Sequence, residues 1–281
     1  MRTYVITGGT DGIGRGLGLY LLRRGDRVIA VASGERKGHA LLAEAERSGA
    51  ADRAVFLRAD LSTLAGMRKV IDEVRATTDA VDGLVFGAQR FRSVREETED
   101  GLEFTFALGY LSRFVIGHGL MEHLERADRP VIMNIAGPGG LPGRIVWDDL
   151  QSRRGYKGMR AAMQGSRCID LLGAGFPARY PDARTRYVLY NPLFVNTGMA
   201  DPLPQPKRAV TKGLARLFAQ PVDKAVVPIA RLLDDPPKPA VTAFRRSRAL
   251  PLTGKDFDQA AAARLHQVTT DLLAEITQAR R

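Results

Sequence analysis

"TGGTDGIG", residues 7–14, decides the reading of this chain. It follows a β-branched run, "TYVI" at 3–6, and leads straight into "RGLGLYLLRRGD" at 15–26, whose apolar residues recur at helical spacing. A strand, a glycine turn and a helix in that order bring unpaired backbone N–H groups and the positive end of a helix dipole to one point, where phosphates bind. Gly8, Gly12 and Gly14 permit the tight turn and the close approach to a pyrophosphate, with Thr10, Asp11 and Ile13 between them. Gly25 closes the helix as a C-cap, and a second strand begins about 20 residues after the turn opens. A dinucleotide-binding βαβ unit is the expected result.

The second strand ends in "VIAVASGERKG", 28–38. A carboxylate here would hold a ribose 2′-hydroxyl; Ser33 followed by Arg36 and Lys37 suits a 2′-phosphate instead, so NADP(H) is expected in place of NAD(H). Further strand-like runs at 54–58, 83–87, 130–136 and 186–190 alternate with helical periodicity. That alternation demands a parallel sheet with right-handed crossovers and helices on both faces. The expected fold is α/β, a Rossmann-type doubly wound parallel sheet in a single domain. Residues 1–198 would form the NADP(H)-binding core with its cleft, and 199–281 a substrate lid, a last strand and C-terminal helices. Pro202, Pro204 and Pro206 mark an exposed excursion. Helices are expected at 210–219, 222–235 and 257–279, and a strand at 240–244. In the terminal helix Ala261, Leu265, Val268, Leu272 and Ile276 make an apolar stripe that should dock on the sheet.

These stretches resemble the short-chain dehydrogenase/reductase family. The opening turn is similar to its TGxxxGxG fingerprint, Asp60 and Leu61 to its adenine-contacting pair, and "GRIVWDDLQSRRGY" at 143–156 to the segment before the catalytic tyrosine in the retinol-dehydrogenase-like branch. "YNPLFVNTGM", 190–199, resembles the stretch that holds the nicotinamide. The resemblance covers about residues 3–200. It implies cofactor contacts at Gly87, Ala88, Pro192, Val195 and Thr197, a small-molecule substrate and a homo-oligomer.

The catalytic end departs from that pattern. "FGAQ", 86–89, keeps only the alanine of the family's Asn-Asn-Ala-Gly; Gly109 stands at its relay asparagine, and Ala136 and Gly137 at its serine pair. Two alignments of the tyrosine compete. Tyr156 with Arg160 keeps the i, i+4 spacing that would set both on one helix face within "RRGYKGMRAAMQGSRCIDLL", 153–172. The distance to Pro192 favours the other, in which "AMQGSR" is read on the family's "AYxxSK" and Met163 takes the tyrosine position, with Ser166 and Arg167 following. Tyr156, Ser166 and Arg167 are then the catalytic candidates, in a site that lacks the usual Asn/Ser/Tyr/Lys set. A missing general acid costs on the order of 10² to 10⁴ in rate and a missing oxyanion donor roughly another 10² to 10³.

The remaining composition narrows the function. The net charge is +11, carried by 42 basic residues of which eight are lysine, yet no long basic run or aromatic interleaving points to nucleic acid. One cysteine, Cys168, excludes an intrachain disulfide and a multi-thiolate metal site, and reads as a core residue. His118 and His123 lack the spacing of a zinc helix, so no metal is expected. The first residues lack an apolar leader and no stretch is long enough to cross a bilayer, so the expectation is a cytoplasmic protein with no membrane partner. The expected activity is an NADP-dependent oxidoreductase of non-standard mechanism on a carbonyl or enone intermediate of specialised metabolism. The alternatives are a non-redox cyclase or isomerase, and an inactive nucleotide-sensing regulator.

Overall fold

The structure, a computed structural model, describes residues 1–139, 142–193, 195 and 220–279. Eight strands form one sheet in the order β3-β2-β1-β4-β5-β6-β7-β8. They are β1 (Thr3–Thr7), β2 (Arg27–Ala32), β3 (Ala54–Arg58), β4 (Gly83–Phe86), β5 (Val131–Ile135), β6 (Arg186–Asn191), β7 (Val241–Arg245) and β8 (Arg248–Leu250). β1 to β7 run parallel, and β8 returns antiparallel on β7. The single-domain, doubly wound α/β architecture is the one expected. β8 is an addition: three residues at an exposed edge give no alternation to read.

Period-two side-chain alternation sends each strand's apolar residues to both faces. Val5, Ile29, Leu57, Leu84, Ile132 and Leu189 pack on one side with the helices Leu64–Thr77 and Gly158–Ala174 and the helical run from Phe104 to Gly119. Ile6, Val28, Ala30, Val85, Met133 and Val188 pack on the other with Gly12–Arg23 and Val222–Asp234. The terminal helix, Gln259–Ala279, lies against Gly158–Ala174. Its stripe of Ala261, Leu265, Val268, Leu272 and Ile276 packs into the same apolar cluster as the sheet residues Ile132 and Leu189. The Tyr110 and Thr269 hydroxyls, 2.8 Å apart, tie it down. The expected helix at 210–219 lies outside the described residues.

That layer also buries a titratable group. His118 Nδ1 lies 2.6 Å from the Tyr180 hydroxyl, among Phe114 and His266. Burial, with repulsion from His266 and Arg179, pushes His118 down to about 4. The unfolded chain takes up this proton near pH 6.5, so the folded state loses stability as pH falls from there toward 4. Denaturant titrations at pH 7 and pH 4.5 should show His118→Gln losing about 1–3 kcal/mol less than the parent over that interval.

Candidate active site

The site begins at the turn after β1. Gly8 takes φ +70°, a conformation that side-chain-bearing residues rarely adopt, and its N–H donates to Val31 O at 2.8 Å. Asp11 caps the following helix by accepting the Gly12 N–H at 2.9 Å. A Cβ on Gly14 would stand 2.3 Å from Gly8 O, and one on Gly8 2.9 Å from Ala88 N. On the other side Thr7 Oγ1 accepts from Gly87 and Ala88 N–H at 3.2 and 3.3 Å, pinning the end of β4 to the end of β1.

These elements open a cleft of about 830 Å³ at the carboxyl ends of the strands, where the strand order reverses between β1 and β4. Gly8, Thr10, Asp11, Gly12, Ile13, Gly14, Ser33, Lys37, Asp60, Leu61, Gly87 and Ala88 all line it, so the fold gathers most of the sequence-expected cofactor residues. Arg36 sits on the helix Glu35–Arg47 and is not among the lining residues. Pro192 and Val195 also lie outside the lining; Gln220 bonds Pro192 O at 2.9 Å and pairs with Val195. Thr197 lies outside the described residues.

Lys37 Nζ forms an ion pair with Asp11 across the cleft mouth. Burial alone would raise the Asp11 carboxyl; Lys37 and the Gly12 N–H more than offset that and hold it below the usual carboxylate range. Asp60 folds onto its own turn, accepting from Ser62 N–H at 2.9 Å and Ser62 Oγ at 2.7 Å.

The catalytic candidates are placed elsewhere. The helix starts at Gly158 after Lys157, so Tyr156 precedes it and shares no helix face with Arg160, contrary to the spacing. The Tyr156 hydroxyl lies 3.1 Å from Glu103 Oε1 and 3.3 Å from Arg92 O. Glu103 in turn caps the helical run at Phe104 by accepting from Thr105 and Phe106 N–H. Burial raises the Tyr156 phenol above its ordinary value. Arg167 is buried, 2.8 Å from Asp170 Oδ2 and 3.0 Å from Asp256 Oδ1, with Nε toward Gly143 O at 3.5 Å. Ser166 Oγ is buried with no hydrogen-bond partner. None of the three lines the cleft.

Burial pushes the Asp170 carboxyl up to about 7, with Asp256 adding to the rise while the Gly139 N–H and Arg167 oppose it. Gly109 sits in a π-helical turn, Ala107–Leu111, with open space where a Cβ would be. Cys168 is buried and its thiol is pushed up to about 12, which makes it inert, as expected of a core residue.

Sequence reading missed one wall of the cleft. Gln89, Arg90, Phe91, Arg92, Glu96, Glu97, Thr98 and Glu99, with Phe104 and Leu108, come from the chain just after β4. Their signal was position: they leave the carboxyl end of a strand beside the nucleotide turn. Arg92 lies 2.7 Å from Glu96 and its guanidinium 4.3 Å from the centre of the Phe104 ring. No tyrosine, histidine or cysteine is among the described residues lining the cleft; carboxyl groups, Thr98 and guanidinium groups are.

Comparison with known proteins agrees with this geometry. The model of the family described as short chain dehydrogenase matches residues 2–148, just over half of the sequence. The chain belongs to the short chain dehydrogenase family. It is 28% identical to polyprenol dehydrogenase of Danio rerio over 80% of this chain and 71% of that protein. It is 30% identical to a Streptomyces sp. (strain C5) protein described as a daunorubicin C-13 ketoreductase, over 70% of this chain and 67% of that one. A short chain dehydrogenase of Burkholderia cenocepacia solved with NADP shares the fold, with a TM-score of 0.67 and 19% identity over 87% of this chain and 95% of that one.

Proposed function

We propose that this protein is an NADP(H)-dependent oxidoreductase that acts on a carbonyl or enone carbon of a small molecule, with a proton donor other than a tyrosine. The carrying observation is the glycine cradle, in which Gly14 approaches Gly8 and Gly8 approaches Ala88 too closely for any side chain. The cleft beside this tight turn would take a pyrophosphate against the backbone N–H groups of the helix start, with Ser33 and Lys37 in the same lining. The dinucleotide, when bound, supplies the hydride. The residues of this chain then have to position the acceptor carbon and deliver one proton to its oxygen. Asp11, Asp60, Glu96, Glu97 and Glu99 are the carboxyl groups that line the cleft and are the candidates for that proton transfer. The ketone chemistry named for the Streptomyces relative supports this substrate class and a role in specialised metabolism.

Lys37→Glu is the direct test of the cofactor. It should lower the NADPH-over-NADH preference at least about tenfold in fluorescence titrations. Arg36→Asp, outside the cleft lining, should have the smaller effect. Equal effects of both, or of neither, would refute a 2′-phosphate contact at Lys37.

The absence of tyrosine, histidine and cysteine from the described lining favours a second reading, a regulator that binds the nucleotide without turnover. NADPH oxidation in the presence of ketone and enone panels separates the two. Binding without oxidation across all of them supports the regulator.

A further inference from the structure

Arg113, in the helical run from Phe104 to Gly119, is 1% exposed, and its guanidinium reaches the chain just after β4. Nη1 donates to Gly109 O and, at 3.3 Å, to Ala88 O, and the group stands 5.9 Å from the centre of the Phe86 ring. Ala88 lines the nucleotide cleft and Arg113 does not. The cation therefore sits one carbonyl group behind the cleft wall.

Its charge is uncompensated. Nε and Nη2 are buried without a hydrogen-bond partner, and among the described residues no carboxylate reaches the group. The two carbonyl oxygens satisfy an N–H but, as dipoles, cancel no net charge. The titratable neighbour, Tyr187, is raised by burial and stays a neutral phenol. Burial pushes Arg113 down only to about 10, so it is a cation at neutral pH. A buried unpaired charge is costly to a fold, and its field is far less weakened than that of a solvated one.

The strand order sets Ser33 and Lys37, which follow β2, on one side of the glycine turn, and Ala88 and Ile135, at the ends of β4 and β5, on the other. With a pyrophosphate at the turn and the proposed 2′-phosphate contact at Lys37, the Ala88 side is left for the nicotinamide. The two redox forms of the cofactor differ there by one charge: the oxidised ring is a cation and the reduced ring is neutral. We propose that Arg113 is a specificity-determining residue for the redox state of the cofactor, its buried charge disfavouring NADP⁺ and leaving NADPH the tighter ligand. This rests on the proposed cofactor site and adds a direction to it, since a protein that binds the reduced form and sheds the oxidised one is set for reduction. Glu96, Glu97 and Glu99 on the cleft lining act in the opposite sense, but they are exposed and screened. Two unit charges about 10 Å apart at an effective dielectric near 20 shift an equilibrium about tenfold.

Calorimetric titration of the full chain with NADPH and with NADP⁺ reads the ratio of the two dissociation constants without substrate or turnover, and the phosphate contacts common to both forms cancel from it. The parent is expected to bind NADPH about tenfold more tightly than NADP⁺. Arg113→Met, which removes the charge and keeps an unbranched chain in the packed site, should tighten NADP⁺ about tenfold and leave NADPH within about twofold. Arg113→Lys should keep the parental ratio. A purely structural role would weaken both forms alike. Should Arg113→Met fail to fold, Arg113→Gln replaces it, and the parent's own ratio between about 0.05 and about 0.5 M KCl decides in any case: a buried charge leaves it nearly constant, whereas exposed groups lose their effect. Failure of both forms to bind would strike the cofactor site itself. Equal affinity of the parent for the two forms, equal weakening of both by the neutral variants, an unchanged ratio in them, or a preference lost in salt overturns the role of Arg113 alone.

Discussion

Arg167→Met is expected to destabilise the protein by about 3–5 kcal/mol at pH 8, the usual consequence of leaving a buried charge unpaired. Arg167 stands between Asp170 and Asp256, and its removal leaves two carboxylates facing each other in the interior. The cost depends on pH with a definite sign. Asp170 already binds its proton up to about pH 7, far above the value of an unfolded aspartate. Without Arg167 that affinity rises further, so the folded variant holds a proton the unfolded chain releases, and stability falls as pH rises. Urea denaturation should find the deficit smaller at pH 6 than at pH 8, with Arg167→Lys intermediate. The same variant tests placement: if Arg167 gripped the nicotinamide ribose, as the family resemblance would have it, NADPH affinity per folded molecule would drop. The ion cluster implies no such drop.

The second large effect is at Gly14. Gly14→Ala puts a methyl 2.3 Å from the Gly8 carbonyl oxygen, and the neighbour is backbone with no rotamer to yield. The helix start must move away from the turn, taking with it the N–H groups that would face a pyrophosphate. NADPH dissociation constants are expected to rise by roughly 10²-fold or more, with a stability loss of about 1–3 kcal/mol. Circular dichroism and titration separate the two losses. Retention of native NADPH affinity in a folded Gly14→Ala protein would remove the basis for calling this turn a phosphate cradle.

The two ends of the cleft were unequally legible. The nucleotide turn is written in eight consecutive residues, so the order strand, glycine turn, helix carried most of its geometry, although Val31 and Ala88 complete its packing from afar. Strand alternation was likewise local, and all six core strands expected from it formed, with small differences at their ends. Tyr156 was harder, because i, i+4 spacing has meaning only inside a helix. Gly155 at φ +56° and an extended Lys157 delay the helix until Gly158, whose backbone meets the Arg92 carbonyl, 66 residues away in sequence. Arg113 was invisible for a related reason. An arginine in "GYLSRF" gives no sign of burial, and only the fold sets it beside Phe86 with its guanidinium on the Gly109 and Ala88 carbonyls.

The pairing of Lys37 with Asp11 changes how any phosphate could be recognised at that corner. An arriving phosphate would not find a bare cation. It must swap places with a carboxylate that is already there, and the gain is the difference between two anions competing for one ammonium group. Discrimination built on such an exchange is shallow, and it erodes with added salt, since both rivals are exposed and screened alike.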